Sequence, residues 1–169
     1  TPSDTYRHPA SAARGRSQLR LAAAGVFVQR GHRPLLTVHI LASGSEGNCL
    51  LVSAGGTHLL VDAGISARRI CGALQALALS PADISGVLLT HEHTDHICGV
   101  ATLTKQHRLP LYASRGTAEA LCRKSSCVSD VLRVIPRAGA FDIGNARITV
   151  FPTSHDATEG IDFRVDHDG

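Results

Sequence analysis

The seven residues Thr90-His91-Glu92-His93-Thr94-Asp95-His96 follow directly on the apolar run Gly86-Val87-Leu88-Leu89. That junction restricts the possible folds more than any other stretch. The run has the composition of a buried strand. A strand that ends in imidazoles and carboxylates holds them rigidly, as a metal site requires. Side chains two apart on an extended chain share a side, so His91 and His93 point together. Asp95 and His96 come at the turn into a helix and can reach the same space from another direction. Imidazole nitrogen suits zinc, and a carboxylate offsets the ion's charge. If these were plain structural residues, each desolvated polar group would need its own partner.

A chain of 169 residues with 43% hydrophobic content suits one domain with a core. Aromatics are only 4%, so that core must be built from Leu, Val, Ile and Ala. The net charge of +3 is unevenly spread. Residues 1–36 hold six Arg against Asp4, whereas residues 37–169 are net acidic by two charges. The basic character therefore belongs to the N-terminal stretch and says little about a nucleic-acid partner at the cluster. Five cysteines without a CxxC pair argue against a disulfide framework and for a reducing, cytoplasmic setting, with each thiol expected as a small buried hydrophobe. Cys98, near His96, is not expected to be a ligand. No apolar run approaches the roughly 20 residues that span a bilayer, so no membrane association is expected.

Residues 1–34, rich in Ala and Arg, lack periodicity and are expected to be a disordered extension, with the fold occupying 35–169. Leu35–Leu41 reads as a strand, followed by a tight Ser43–Asn48 loop that could offer N–H groups to a phosphate. Cys49–Ser53 and Thr57–Asp62 read as a hairpin around Gly55-Gly56. Ser66 is a plausible cap for a helix through Ile70, Leu74 and Leu77. Ser80–Asp83 reads as a capped turn. After the 86–90 strand, a helix is expected from Asp95 to His107. A short strand (109–113) and a helix (115–124) with Ala118, Leu121 and Cys122 inward come next. Strands over 131–135, 146–151 and 161–165 complete the pattern. Hairpins early and strand–helix alternation later imply an α/β (α+β) sandwich with mixed sheets.

His91-x-His93-x-Asp95-His96 at a strand end resembles the HxHxDH signature of the metallo-β-lactamase superfamily. Asp62 in Leu60-Val61-Asp62-Ala63-Gly64 resembles its first acid, and His155 in Thr153-Ser154-His155-Asp156 its third-motif histidine. Leu41-Ala42-Ser43-Gly44-Ser45-Glu46-Gly47-Asn48, Thr90–Gly99 and Ser154-His155-Asp156-Ala157 are similar to the LASGSxGN, THEHxDHxxG and SHDA segments of the YycJ/WalJ-type branch. The resemblance covers about residues 37–168.

It implies an αββα sandwich and a site for a divalent metal, two zinc ions foremost, with manganese or iron as options. On this resemblance His91, His93 and His155 bind the first metal, and Asp95 and His96 the second. Asp95 is also the candidate catalytic residue, orienting a metal-bound hydroxide. Asp62 holds a histidine tautomer or the loop, or merely caps a turn. Glu92 is expected to face solvent or an ion pair. The branch implies a DNA exonuclease acting on double-stranded DNA. The same ligands would serve a carbonyl hydrolase acting on lactones or thioesters.

The superfamily draws a bridging Asp and a last His from a second half, and no trusted motif follows His155. Asp162, Asp166 and His167 match none. The chain is therefore expected to be a truncated first half, with one sheet face exposed, weak binding at one metal site and little turnover. A non-catalytic metal-binding remnant is the third functional option.

Overall fold

The computed structural model describes residues 20–22, 26–28, 36–154 and 156–167, the first two segments as backbone. Strands β1 (Arg20–Ala22), β2 (Val26–Val28), β3 (Leu36–Ala42), β4 (Cys49–Ala54) and β5 (Thr57–Val61) run antiparallel in sequence order. β1 and β2 lie inside the stretch expected to be outside the fold. Val26-Phe27-Val28 is a β-branched and aromatic triplet, and strand propensity of that kind needs no long periodic run. The remainder of residues 1–34 lies outside the described residues. Gly55 and Gly56 turn the β4–β5 hairpin with φ of 54° and 86°, the positive pair that a two-residue primed turn demands.

The chain then alternates. Helix α1 (Ala67–Ala76) is capped by Ser66 Oγ, which accepts from Arg69 N at 3.4 Å. A 3-10 turn, Pro81–Asp83, leads into β6 (Ile84–Leu88). Helices α2 (Thr94–Ile97) and α3 (Val100–His107), strand β7 (Leu111–Ala113), helix α4 (Arg115–Lys124) and strand β8 (Leu132–Val134) follow. β5 to β8 are parallel neighbours in that order. A sheet that grows one way through crossovers of one hand keeps its helices on one face. Accordingly Ile70 and Leu74 of α1, Val100 and Leu103 of α3, and Ala118 and Leu121 of α4 pack with Leu51, Leu60 and Val87 of the sheet. Cys122, expected inward, is exposed, as are Cys98 and Cys127. Of the five thiols only Cys49 is buried, and its pKa is pushed to about 12 by burial and then by the Asp62 charge.

The single helix expected over 95–107 is broken at Cys98-Gly99. The Asp95 carbonyl accepts from Asn48 N at 2.7 Å and the His96 carbonyl from Ala63 N at 2.8 Å. Those oxygens are diverted from the next helical turn. Gly99 N donates to Ala63 O at 2.8 Å, and a side chain at 99 would collide with the Ile65 carbonyl.

Three further strands, β9 (Gly139–Ile143), β10 (Ala146–Pro152) and β11 (Ile161–Asp166), form a second antiparallel sheet in the order β11-β10-β9. Its inner residues Ile143, Ala146 and Ile148 bury Ala54, Leu59 and Leu88 on the face of the first sheet away from the helices. Tyr112 stacks on Phe141 with ring centroids 5.5 Å apart. The sheet face expected to be exposed is covered over β4 to β6 by this second sheet, while Ile40 of β3 remains exposed. The result is a helix–sheet–sheet stack. Among the described residues no helix is long and apolar enough to cross a membrane.

Candidate metal centre

The carboxyl ends of β5 and β6 and the β3–β4 loop meet at one edge of the large sheet. Gly64 is where they close: a Cβ there would overlap the Asp95 carbonyl, so the 62–66 and 95–99 segments lie backbone to backbone. Gly64 N also donates to Asn48 O at 2.8 Å. The β3–β4 loop, the residues after β5 and the start of α2 are thereby fixed relative to one another before any side chain is considered.

Asp62 is buried in this junction, at 4% exposure, with a left-handed φ of 59°. Its Oδ1 accepts from Thr90 N at 2.9 Å. The Thr90 hydroxyl donates to the same carboxylate, at 2.9 Å from Oδ2, and lies 2.9 Å from His91 Nδ1. Having given its proton to Asp62, Thr90 Oγ1 accepts from His91 Nδ1–H, and this assigns the lone pair of His91 to Nε2. Asp62 Oδ2 sits 2.7 Å from His96 Nδ1. That bond, joined by the Asp62 and Asp95 charges, raises the His96 pKa above its ordinary value against partial burial. With Nδ1–H donated to Asp62, His96 directs Nε2 at Asp95 Oδ2, 3.3 Å away. An imidazole lone pair and a carboxylate oxygen repel at that distance unless a positive charge lies between them. A proton on Nε2 or a metal ion would satisfy the contact equally.

Asn48 fixes the same pair from the loop. Its amide exchanges reciprocal bonds with Gly44, N to Oδ1 and Nδ2 to O, each at 3.1 Å, so it cannot turn over without facing like to like. Nδ2 then lies 3.2 Å from Asp95 Oδ2 and 3.3 Å from His96 Nε2. The His91 ring is 4.6 Å from that of His93 and 4.0 Å from that of His96, centroid to centroid. His93 is the more accessible, and its Nε2 is 3.9 Å from Asp156 Oδ1.

His91, His93, Asp95, His96 and Asp62 are therefore brought to one place, and His155 lies outside the described residues. Among the described residues no three His, Cys, Asp or Glu groups already converge on a single ion position. The pairwise geometry nevertheless suits a metal. Two ligands about 2.0–2.1 Å from a tetrahedral ion stand about 3.3 Å apart, the His96–Asp95 separation. A cleft of about 460 Å³ opens here, lined by Asp62, Thr90, His91, His96 and Asn48. Asp162, set aside on sequence grounds, also lies on its wall.

Glu92 departs from expectation. It stays partly exposed, but its carboxylate is tied by hydrogen bonds, accepting from Thr158 N at 2.8 Å, Thr158 Oγ1 at 2.7 Å and Thr117 Oγ1 at 3.3 Å. Partial burial pushes its pKa up, but these bonds outweigh it and hold the group down at about 2. Sequence reasoning missed Thr90, Asn48 and the Glu92 bonds. Thr90 carried a hint, being a hydroxyl between an apolar strand and the first histidine; the others depend on partners far along the chain.

The helix–sheet–sheet stack with a histidine-rich strand end is that of a metal-dependent hydrolase fold. The family model for the metallo-beta-lactamase superfamily matches residues 42–168, and the chain belongs to that superfamily. Within it, the chain is 37% identical over 121 residues to exodeoxyribonuclease YycJ of Bacillus anthracis, covering 71% of this chain and 46% of that one. Against exodeoxyribonuclease WalJ of Streptococcus pneumoniae serotype 2 (strain D39 / NCTC 7466) it is 36% identical, over 70% of this chain and 45% of the relative. Ribonuclease Z of Mycobacterium sp. (strain KMS) is 30% identical over 154 residues, 80% of this chain and 50% of that one. The chain thus spans about half the length of these relatives. Among solved structures, a B3 metallo-beta-lactamase with an active-site glutamic acid superposes with a TM-score of 0.65 at 22% identity, over 80% of this chain and 55% of that one. The metallo-beta-lactamase SMB-1 gives 0.64 at 21%, over 75% and 54%. At such identities these two show the fold alone.

Proposed function

We propose that this chain forms part of a metal-dependent phosphodiesterase, a DNA exonuclease foremost, with His91, His93 and His155 holding one divalent ion and Asp95 and His96 a second. Zinc fits the imidazole-rich set, and manganese or iron are the other candidates. The observation that carries the reading is the Asp62–Thr90–His91/His96 network, which fixes both tautomers and directs both Nε2 atoms away from Asp62. Such outer bonds orient ligand histidines and raise their basicity. Bound there, an ion supplies Lewis acidity and lowers the pKa of a water toward about 7.

The chain's own residues divide the remaining work. Asp62 and Thr90 keep the histidines aimed by holding their Nδ1 atoms. Asn48 holds the Asp95 carboxylate in place, and Asp95 is the residue we assign to orienting the attacking water. A phosphodiester is favoured over a lactone or thioester by the nuclease relatives. An adjoining groove is lined by Arg69, Glu46 and the Ser43–Gly47 loop, whose Gly44 and Gly47 N–H groups are bonded to Asn48 Oδ1 and Gly44 O. The exonuclease relatives support DNA, while the ribonuclease Z relatives keep RNA as the competing nucleic acid.

The test is an assay of the protein carrying this chain on 5′-phosphorylated duplex DNA, a structured RNA and a lactone. Duplex DNA is the expected substrate, and His93→Ala should abolish its cleavage. Preferred turnover of the lactone, or full activity of His93→Ala, would refute the proposal.

A further inference from the structure

Residue 92 stands between two candidate ligands, yet its side chain reaches away from them to the loop between β10 and β11. One carboxylate oxygen takes both the amide and the hydroxyl of Thr158, and the other takes the hydroxyl of fully buried Thr117 on α4. Lys124 Nζ donates to the Glu92 carbonyl at 3.1 Å. A second brace lies beside the first. The Glu159 carbonyl accepts from Ser114 Oγ at 2.7 Å, and Glu159 Oε2 accepts from Gly116 N at 2.8 Å, at the first turn of α4. The base of the loop is closed by Thr153 N on Gly160 O at 3.2 Å and Ile161 N on Thr90 O at 3.1 Å. Residue 155 is therefore bracketed, with bonded residues two positions before it and three after.

We propose that Glu92 is a positioning residue: it docks residues 158–159 on α4 and so determines how well His155 can join the metal site. The inference rests on the metal reading above and adds to it a residue with no ligand role. Its physical basis is preorganisation. A loop already tied down at both ends loses little further freedom when one of its side chains is captured. Glu92 also belongs to the β6 exit that presents His91 and His93, so two candidate ligands and the brace share one short segment.

The experiment compares wild type, Glu92→Ala, Glu92→Gln, His155→Ala and the Glu92→Ala/His155→Ala double variant. Zinc affinity is read by calorimetry, the fold by melting temperature, and loop docking by amide hydrogen exchange of metal-free protein. Glu92→Ala should speed exchange of the Thr158 amide and weaken zinc binding about 10–100-fold, the usual loss when a supporting residue is removed. Glu92→Gln, which keeps one oxygen for Thr158, should fall between. In the His155→Ala background the same substitution should add little. Unchanged Thr158 exchange, or an equal loss of zinc affinity with and without His155, would overturn the proposal. If Glu92→Ala fails to fold, Thr158→Val removes only the hydroxyl donor and should give smaller shifts in the same directions; no shift would be equally fatal. Wild type that binds no zinc would sink the metal reading, while the exchange arm would still decide whether Glu92 docks the loop.

Discussion

At the end of the sandwich away from the histidines, the turns Gly55-Gly56 and Gly144-Asn145 face each other across the two sheets. Asn145 N donates to Thr57 Oγ1 at 2.8 Å, Asn145 Nδ2 to Gly55 O at 2.6 Å, and His167 Nδ1 to Asn145 O at 2.8 Å. No carboxylate takes part in these bonds. The histidine end is built from similar loops and similar backbone contacts, but its network is charged. Asp62 organises Thr90, His91 and His96, and what remains is an imidazole nitrogen facing a carboxylate oxygen at 3.3 Å. One end is a latch between sheets. The other is a charged junction in which Asn48 Nδ2 lies against both atoms, and a proton or a metal ion between them strengthens it. A polar cluster built from neutral backbone and amide groups is structure alone; one built from carboxylates and imidazoles can also take up a proton or a cation.

The contrast can be broken most severely at Gly64. Substitution to Ala would drive a methyl into the Asp95 carbonyl, and we expect a loss of about 3 kcal/mol in denaturant unfolding, the upper end of overpacking costs. An unfolding midpoint equal to wild type would show that the segments are not locked together. Next comes a paired comparison of the two ends. Asp62→Asn should weaken zinc binding about 10–100-fold, whereas Asn145→Ala should leave zinc binding alone and lower stability by about 1 kcal/mol. Reversal of that pattern would erase the distinction between latch and site. The smallest effect belongs to Asp83, whose pKa is lowered by hydrogen bonds from the Ser80 backbone and then its side chain. A depressed carboxyl stabilises the fold above its ordinary pKa and loses that contribution as pH falls on through the depressed value. The melting-temperature difference between wild type and Asp83→Asn should therefore be present at pH 7, begin to shrink near about pH 4 and vanish only below the depressed pKa. A difference that grows in acid would have the wrong sign.

Features written within a few residues were legible in the sequence. The Gly55-Gly56 hairpin, the Ser66 cap, the Ser80–Asp83 turn and the alternation from β5 to β8 all follow from local propensity and spacing. So did the gathering of His91, His93, Asp95 and His96 at a strand end, with Asp62 nearby. What escaped depends on distant partners. The helix break at Gly99 exists because Asn48 and Ala63 capture the carbonyls of Asp95 and His96. β9 escaped because Gly139-Ala140-Phe141-Asp142-Ile143 has little strand character without β10 beside it. Glu92 read as a residue facing solvent or an ion pair because Thr158 lies 66 residues away. Asn48 looked like a turn residue because its role depends on a carboxylate 47 positions on.

The most direct test of the central claim is zinc soaked into crystals of the protein and located by anomalous scattering. The account predicts a peak within about 2.0–2.3 Å of both His96 Nε2 and Asp95 Oδ2, with Asp62 still bonded to His96 Nδ1. An empty cleft at saturating zinc, or an ion held only by exposed thiols such as Cys98 or Cys127, would contradict it.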